Sequence, residues 1–228
     1  AGIPCLGIEP AANVAEAARE KGVPTVSEFF GVATAKQVRT EHGVADLIIG
    51  NNVLAHVPDL NDFVAGIRQL LAPTGVVTME FPYLLKLMDE NQFDTIYHEH
   101  FSYFSFITVR EVFRRHGMTI FDVEQLPTHG GSLRIYAAHE GQEDVLDSVS
   151  QLLDIERQAG LDSLDGYSDF QPRVDAVKRD LLAVLIEAKR SGKTVVGYGA
   201  PGKGNTLLNY CGIGRDFLDY TVDRNPYK

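Results

Sequence analysis

Apolar residues fall at helical spacing in some stretches of the chain and in short unbroken runs in others, and the two kinds alternate. Residues 5–8, Cys-Leu-Gly-Ile, read as a strand, and residues 11–21, rich in Ala, Glu and Arg, as a helix that Gly22 stops. Residues 23–30 predict a short strand and turn, and 34–42 a second helix. Asp46-Leu47-Ile48-Ile49-Gly50 is a continuous apolar run, as a buried parallel strand requires. Phe63, Val64, Ile67, Leu70 and Leu71 line one helical face. Pro73-Thr74-Gly75 then predicts a turn, and 76–81 a strand. Strand and helix in turn mean a parallel sheet flanked by helices, an α/β fold.

The texture changes after Leu84. Residues 93–106 are rich in aromatics, and 108–116 predict a helix. Two strands follow, 119–124 and 132–138, joined by Leu126-Pro127-Thr128-His129-Gly130-Gly131, and they suit the antiparallel edge that often closes such sheets. Residues 140–169 are acidic and read as a connector with helical parts. Val174, Val177, Leu181, Val184, Leu185 and Ala188 trace one face of a long helix. A strand at 193–198, a Gly-rich turn at 199–204, a helix start at 206–210 and a strand at 220–223 begin a second α/β unit. The boundary is therefore expected near residue 141, giving units 1–140 and 141–228.

Charge and composition narrow the partners. The 228 residues are 44% hydrophobic, and the formal net charge is -10. A broad nucleic-acid surface would need a concentrated Lys/Arg face, so only a local basic pocket for a small anion fits. Cys5 and Cys211 are too few and too far apart for a disulfide framework or a cysteine-paired zinc site, and read as free thiols in a reducing compartment. No apolar run approaches the ~20 residues of a membrane span, and residues 1–8 carry no basic leader. A cytoplasmic monomer with neither membrane nor nucleic-acid partner is expected.

Candidate chemistry sits where strands end. Glu9 closes the first strand, where a carboxylate can accept hydrogen bonds from both ribose hydroxyls of an adenosine cofactor; a plain surface acid is the alternative. Asn51-Asn52-Val53-Leu54-Ala55-His56-Val57-Pro58 follows the carboxyl end of an apolar strand, a usual ligand position in open α/β sheets, with helix capping as the plainer reading. Tyr97-His98-Glu99-His100 is the densest titratable cluster, set among Phe93, Phe101, Tyr103 and Phe104. In an extended segment Tyr97 and Glu99 would face one way and His98 and His100 the other. Catalysis, packing and metal binding are all open to it, though the spacing matches no standard zinc pattern. Aromatic surroundings lower a histidine pKa and suit a neutral base. His129-Gly130-Gly131-Ser132 permits close backbone approach to a ligand or makes a plain turn. Gly197-Tyr198-Gly199-Ala200-Pro201-Gly202-Lys203-Gly204-Asn205 follows a strand and opens a helix, a weak signal for phosphate that lacks the P-loop ending.

Taken together these segments, with Gly7-Ile8-Glu9-Pro10 and Val222-Asp223-Arg224-Asn225-Pro226-Tyr227-Lys228, resemble the S-adenosylmethionine-dependent sugar C-methyltransferases that act on thymidine-diphosphate keto-deoxysugars. The resemblance implies a Rossmann-like class I methyltransferase sheet followed by a second α/β domain, with the sugar nucleotide between them. It implies His100 as general base, with Tyr97 and Glu99 lining its pocket. Glu9, Pro10, Phe29, Phe30, Asn51, Asn52, Val53 and His56 would hold the cofactor. His129, Gly130, Ser132, Tyr198, Gly199, Lys203, Asn205 and Arg224 would hold the sugar nucleotide. The family's zinc belongs to an N-terminal cysteine-rich domain, so no metal is expected in this stretch. That domain, the first cofactor strand with its Gly-rich loop, and the end of the second unit have no counterpart here, so the chain reads as a fragment. A nicotinamide-dependent Rossmann oxidoreductase and a noncatalytic sugar-nucleotide-binding module are the alternatives. Glu9 fits the former equally well, but no hydride-transfer pair stands out.

Overall fold

The computed structural model describes residues 2–225; Ala1 and the Pro226-Tyr227-Lys228 end of the last motif lie outside the described residues. Strand β1 (Gly7–Ile8) leads into helix α1 (Ala12–Glu20), and β2 (Thr25–Val26) pairs parallel with β1. Gly22 ends α1 with φ of 82°, a conformation that a Cβ disfavours. Helix α2 (Val32–His42) leads to β3 (Ala45–Asn51), and α3 (Leu60–Leu70) runs directly into β4 (Leu71–Pro82). Asp59 starts α3 by accepting the Asp62 N–H at 3.0 Å. Gly66 lets the start of α2 pack against α3, since a Cβ there would lie 2.7 Å from the Gly31 carbonyl carbon.

After α4 (Leu84–Asp89) and α5 (Phe106–Arg115) come β5 (Met118–Leu126) and β6 (Ser132–His139). The main sheet has the order β3-β4-β6-β5, with β3 parallel to β4 and the other two pairs antiparallel. The antiparallel edge thus forms as the two apolar runs predicted. Its core joins Val77, Met79 and Phe81 of β4 to Leu133 and Ile135 of β6, under Val64 and Ile67 of α3 and Phe106, Val109 and Phe113 of α5. Each such side chain contributes about 1.5–3 kcal/mol on burial. Helix α6 (Asp147–Gln158) adds Val149, Leu152 and Leu153 to the same core. Helix α7 (Phe170–Arg190), β7 (Val196–Tyr198), α8 (Gly202–Cys211) and β8 (Tyr220–Val222) are the last elements among the described residues, with β7 parallel to β8.

Four local expectations need correction. The run at 46–50 is not a buried strand: Leu47 is 55% and Ile49 63% exposed. β3 is an edge strand, and Ala45 and Ile48 pack against the core while Leu47 and Ile49 stay exposed. The turn at 73–75 is absorbed into β4 as a bulge, because Ala45 pairs with Leu71 while Leu47 pairs with Val76. On α7, Val174 and Leu185 are buried but Val184 is 67% exposed, so the apolar stripe is narrower than its spacing implies. Helix α8 begins at Gly202 rather than 206, which draws Lys203 and Asn205 into its first turns.

Candidate active site

The cluster at 97–100 is a turn rather than an extended segment. The His100 N–H donates to the Tyr97 carbonyl at 3.0 Å, and the N–H groups of Phe101 and Ser102 donate to the Ala55 carbonyl at 2.8 and 3.4 Å. The expected alternation therefore fails. Tyr97 and His100 come to the same side, ring centroids 4.7 Å apart, while the His98 and Glu99 side chains are exposed. His56 and Tyr103 close around the same imidazole, with ring centroids 4.8 and 5.7 Å from it.

Two backbone carbonyls fix the histidine tautomers. His100 Nδ1 lies 2.9 Å from the Thr95 carbonyl oxygen, and His56 Nδ1 lies 2.9 Å from that of Glu99. A carbonyl only accepts, so Nδ1 of each ring carries a proton, and neutral His100 offers Nε2 as a lone pair. Burial pushes the His100 pKa down, and the charges of His56 and Lys203 act the same way; the Thr95 hydrogen bond and Glu99 oppose them. His100 therefore stands neutral near pH 7. Burial, followed by the Glu99 charge, pushes the Tyr97 phenol up, so it stays a donor. Helix α8 reaches this segment through Tyr210, whose ring centroid lies 5.1 Å from that of Phe93.

A second cluster lies at the carboxyl end of β3 and β4. Asn52 and His129 both take left-handed backbone, φ 60° and 55°, and Asn52 Nδ2 stands 3.5 Å from His129 Nε2. Between these segments Glu80 accepts from the Thr128 hydroxyl at 2.7 Å and the Arg134 guanidinium at 2.8 Å. The Thr128 hydrogen bond, then that of Arg134, outweighs burial and lowers the carboxyl pKa. Ser132 is buried and its hydroxyl donates to the Thr128 carbonyl at 2.9 Å, so it shapes the loop from within. Sequence reasoning missed Glu80, although a charge inside the apolar run Val76-Val77-Thr78-Met79-Glu80-Phe81 was a usable signal.

The other candidates stand apart. Glu9 accepts the Ala11 N–H at 2.9 Å through Oε1 and so helps to start α1; its second oxygen has no hydrogen-bond partner among the described residues. Pro10, Asn51 and Val53 are exposed, and Phe29 is 75% exposed. Phe30 instead packs edge-on against Phe63 at 5.3 Å and serves the core. After β7 the Gly199 N–H donates to the Val222 carbonyl at 2.7 Å and the Ala200 N–H to Asp223 at 2.6 Å, which sets the turn before Lys203. Tyr198, Asn205 and Arg224 are exposed. Among the described residues no three His, Cys, Asp or Glu side chains gather as a metal site, and no helix is long and apolar enough to cross a membrane.

Residues 1–123 match the family described as a methyltransferase domain, and residues 127–228 that described as the C-methyltransferase C-terminal domain. The chain belongs to the methyltransferase family. It is 38% identical over 229 residues to the C-methyltransferase NovU of Streptomyces niveus, a match that takes in 100% of this chain and 54% of the relative. The chain thus spans about half the length of that curated relative. Among solved structures it resembles a putative methyltransferase in complex with the Trm112 activator of Haloferax volcanii, at 13% identity and a TM-score of 0.47 over 61% of this chain and 74% of that one. A possible histamine N-methyltransferase of Thermotoga maritima is similar at 16% identity and a TM-score of 0.46, over 61% of this chain and 73% of that one.

Proposed function

We propose that the whole protein methylates the carbon next to the keto group of a nucleotide-linked deoxysugar, a thymidine-diphosphate sugar, through an enolate. The observation that carries this is the His100 imidazole, half-buried, neutral, and held by Thr95 with Nε2 as its free lone pair. A proton beside a ketone is acidic enough for such a base to remove. Tyr97, kept protonated, can donate a hydrogen bond to the oxygen on which negative charge grows. Glu99 faces outward from the same turn and adds negative charge beside both rings.

The residues present fit S-adenosylmethionine. Glu9 keeps one carboxylate oxygen for a ribose hydroxyl, Phe29 exposes a ring at the same end, and Asn51, Asn52 and Val53 close β3 with polar and backbone groups toward solvent. Bound there, the cofactor supplies an electrophilic methyl group. Residues 1–140 would then hold the methyl donor and 141–228 the sugar nucleotide. The packing of Tyr210 of α8 on Phe93, ring centroids 5.1 Å apart, beside the turn that holds His100 supports a substrate lying between the two units, its phosphates at the start of α8. His129, Gly130, Tyr198, Gly199, Asn205 and Arg224 are the further contacts in this reading.

The test uses the full-length protein, S-adenosylmethionine and a thymidine-diphosphate keto-deoxysugar. A product methylated on carbon is expected, and without the methyl donor the same carbon should exchange its hydrogen in heavy water. A methyl group found on oxygen, or neither methylation nor exchange, would sink the proposal. Lys203→Ala should weaken the sugar nucleotide by about 10- to 100-fold and leave the methyl donor unchanged, since a charge-assisted phosphate contact is worth roughly 1.5–3 kcal/mol. Calorimetry in which both ligands weaken alike, or neither does, would remove Lys203 from the phosphate site.

A further inference from the structure

The carbonyl that sets the His100 tautomer belongs to a short turn, and that turn leans on the C-terminal unit. Residues Phe93–Thr95 form a single 3-10 turn, with Phe93 and Thr95 both buried. Thr95 spends its own N–H and hydroxyl on the Gln92 carbonyl, at 3.1 and 2.8 Å, so its peptide plane is held from behind. Its carbonyl oxygen faces His100 Nδ1 at 2.9 Å and the Tyr103 hydroxyl at 3.4 Å. The other side of the turn meets α8: the Phe93 ring lies 5.1 Å from the ring of Tyr210.

Tyr210 is itself held on every side. Its hydroxyl donates to Asp175 at 2.6 Å and accepts from Gln171 at 2.8 Å, both on α7. Lys178 Nζ reaches the Tyr210 carbonyl at 2.9 Å and lies 5.2 Å from the ring centroid. A residue so fixed from α7 can act as a stop against which the turn packs. The helix that carries Lys203 near its start carries Tyr210 near its end, so one rigid element touches both the proposed phosphate contact and the support of the base.

We propose that Tyr210 is a positioning residue for His100: its ring, pressed on Phe93, holds the Thr95 carbonyl where it keeps the His100 proton on Nδ1. The inference rests on His100 as the base, but its decisive readout does not require turnover. Selective nitrogen-15 labelling of histidine in the full-length protein reports which ring nitrogen carries the proton. Wild type and Tyr210→Phe, which keeps the ring, should show His100 protonated on Nδ1. Tyr210→Leu keeps bulk without the ring, and there His100 should show a mixture of the two tautomers. In that variant kcat should fall roughly tenfold, as expected for a misplaced base, with KM for the methyl donor within about twofold.

A single Nδ1–H tautomer in Tyr210→Leu overturns the proposal, whatever the rate. Should that variant lose its fold by circular dichroism, Phe93→Leu removes the same ring contact from the other side, and the same readout decides. Absence of methyl transfer in the wild-type protein would count against the proposed function alone, because the tautomer is measured without substrate.

Discussion

Full-length protein carrying His100→Ala should turn over about 100- to 10,000-fold more slowly than wild type while binding S-adenosylmethionine nearly as well, the usual cost of losing a general base. The expectation comes from geometry: the Thr95 carbonyl accepts a hydrogen bond from Nδ1–H, and Nε2 is left as the acceptor within a wall of aromatic rings. The pH profile carries the same information with a definite sign. Burial holds His100 below the 6.5 of a free imidazole, so it is neutral at pH 7 and charges only on acidification. Wild-type kcat/KM should therefore be level near neutrality and fall toward acid with a midpoint under 6.5, and that limb should vanish from His100→Ala. Near-normal turnover in the variant, or an acid limb unchanged by it, removes His100 from the base position.

The second large effect lies away from the cleft. Glu156 of α6 is fully buried, and its two oxygens accept the N–H groups of Phe106 and Ile107 at 2.6 and 2.8 Å, closing the first turn of α5. Glu156→Ala leaves both donors without an acceptor in the interior and should cost roughly 3 kcal/mol, read as a lower urea midpoint at an unchanged slope. Glu156→Gln keeps one oxygen and should lose about half of that. Burial raises the Glu156 pKa against the pull of the two N–H groups. A raised folded-state pKa gives stability that is complete below the unfolded value near 4.3 and lost as pH climbs through the folded one. The deficit of Glu156→Gln against wild type should thus be greatest at the acid end and shrink as pH rises. A midpoint in Glu156→Ala within a few tenths of a kcal/mol of wild type would show that α5 does not depend on this cap.

Much of the fold was legible because punctuation and period agree. Gly22 stops α1 where the helical composition ends, the apolar stripe of α3 survives in Phe63, Val64, Ile67 and Leu70, and β5 and β6 pair as their spacing suggested. What escaped the sequence was set by tertiary contact. Leu47-Ile48-Ile49 cannot reveal how many of its faces are covered, since an apolar run reads the same at an edge as in the middle of a sheet. The turn at 97–100 contains neither Gly nor Pro, and its shape owes much to N–H groups that find the Ala55 carbonyl across the fold. Residues 140–169 look like a solvated acidic stretch, and nothing in the sequence separates the buried Glu156 from its exposed neighbours. The support of His100 escaped for a different reason: it comes from the Thr95 backbone, which carries no side-chain signature.

The three residues other than glycine with positive φ among the described residues are Asn52, Asn91 and His129, and two of them touch across the second cluster. The third precedes Gln92, whose side chain donates to the Gly130 carbonyl at 2.7 Å, so it borders the same loop. Left-handed backbone is cheap for glycine and costs of order a kcal/mol for a residue with a Cβ. A chain selected for heat resistance alone would carry glycine at all three places. Under the proposed function the side chains at Asn52 and His129 trade robustness for ligand contact, and laboratory evolution for a higher melting temperature should press first on these positions.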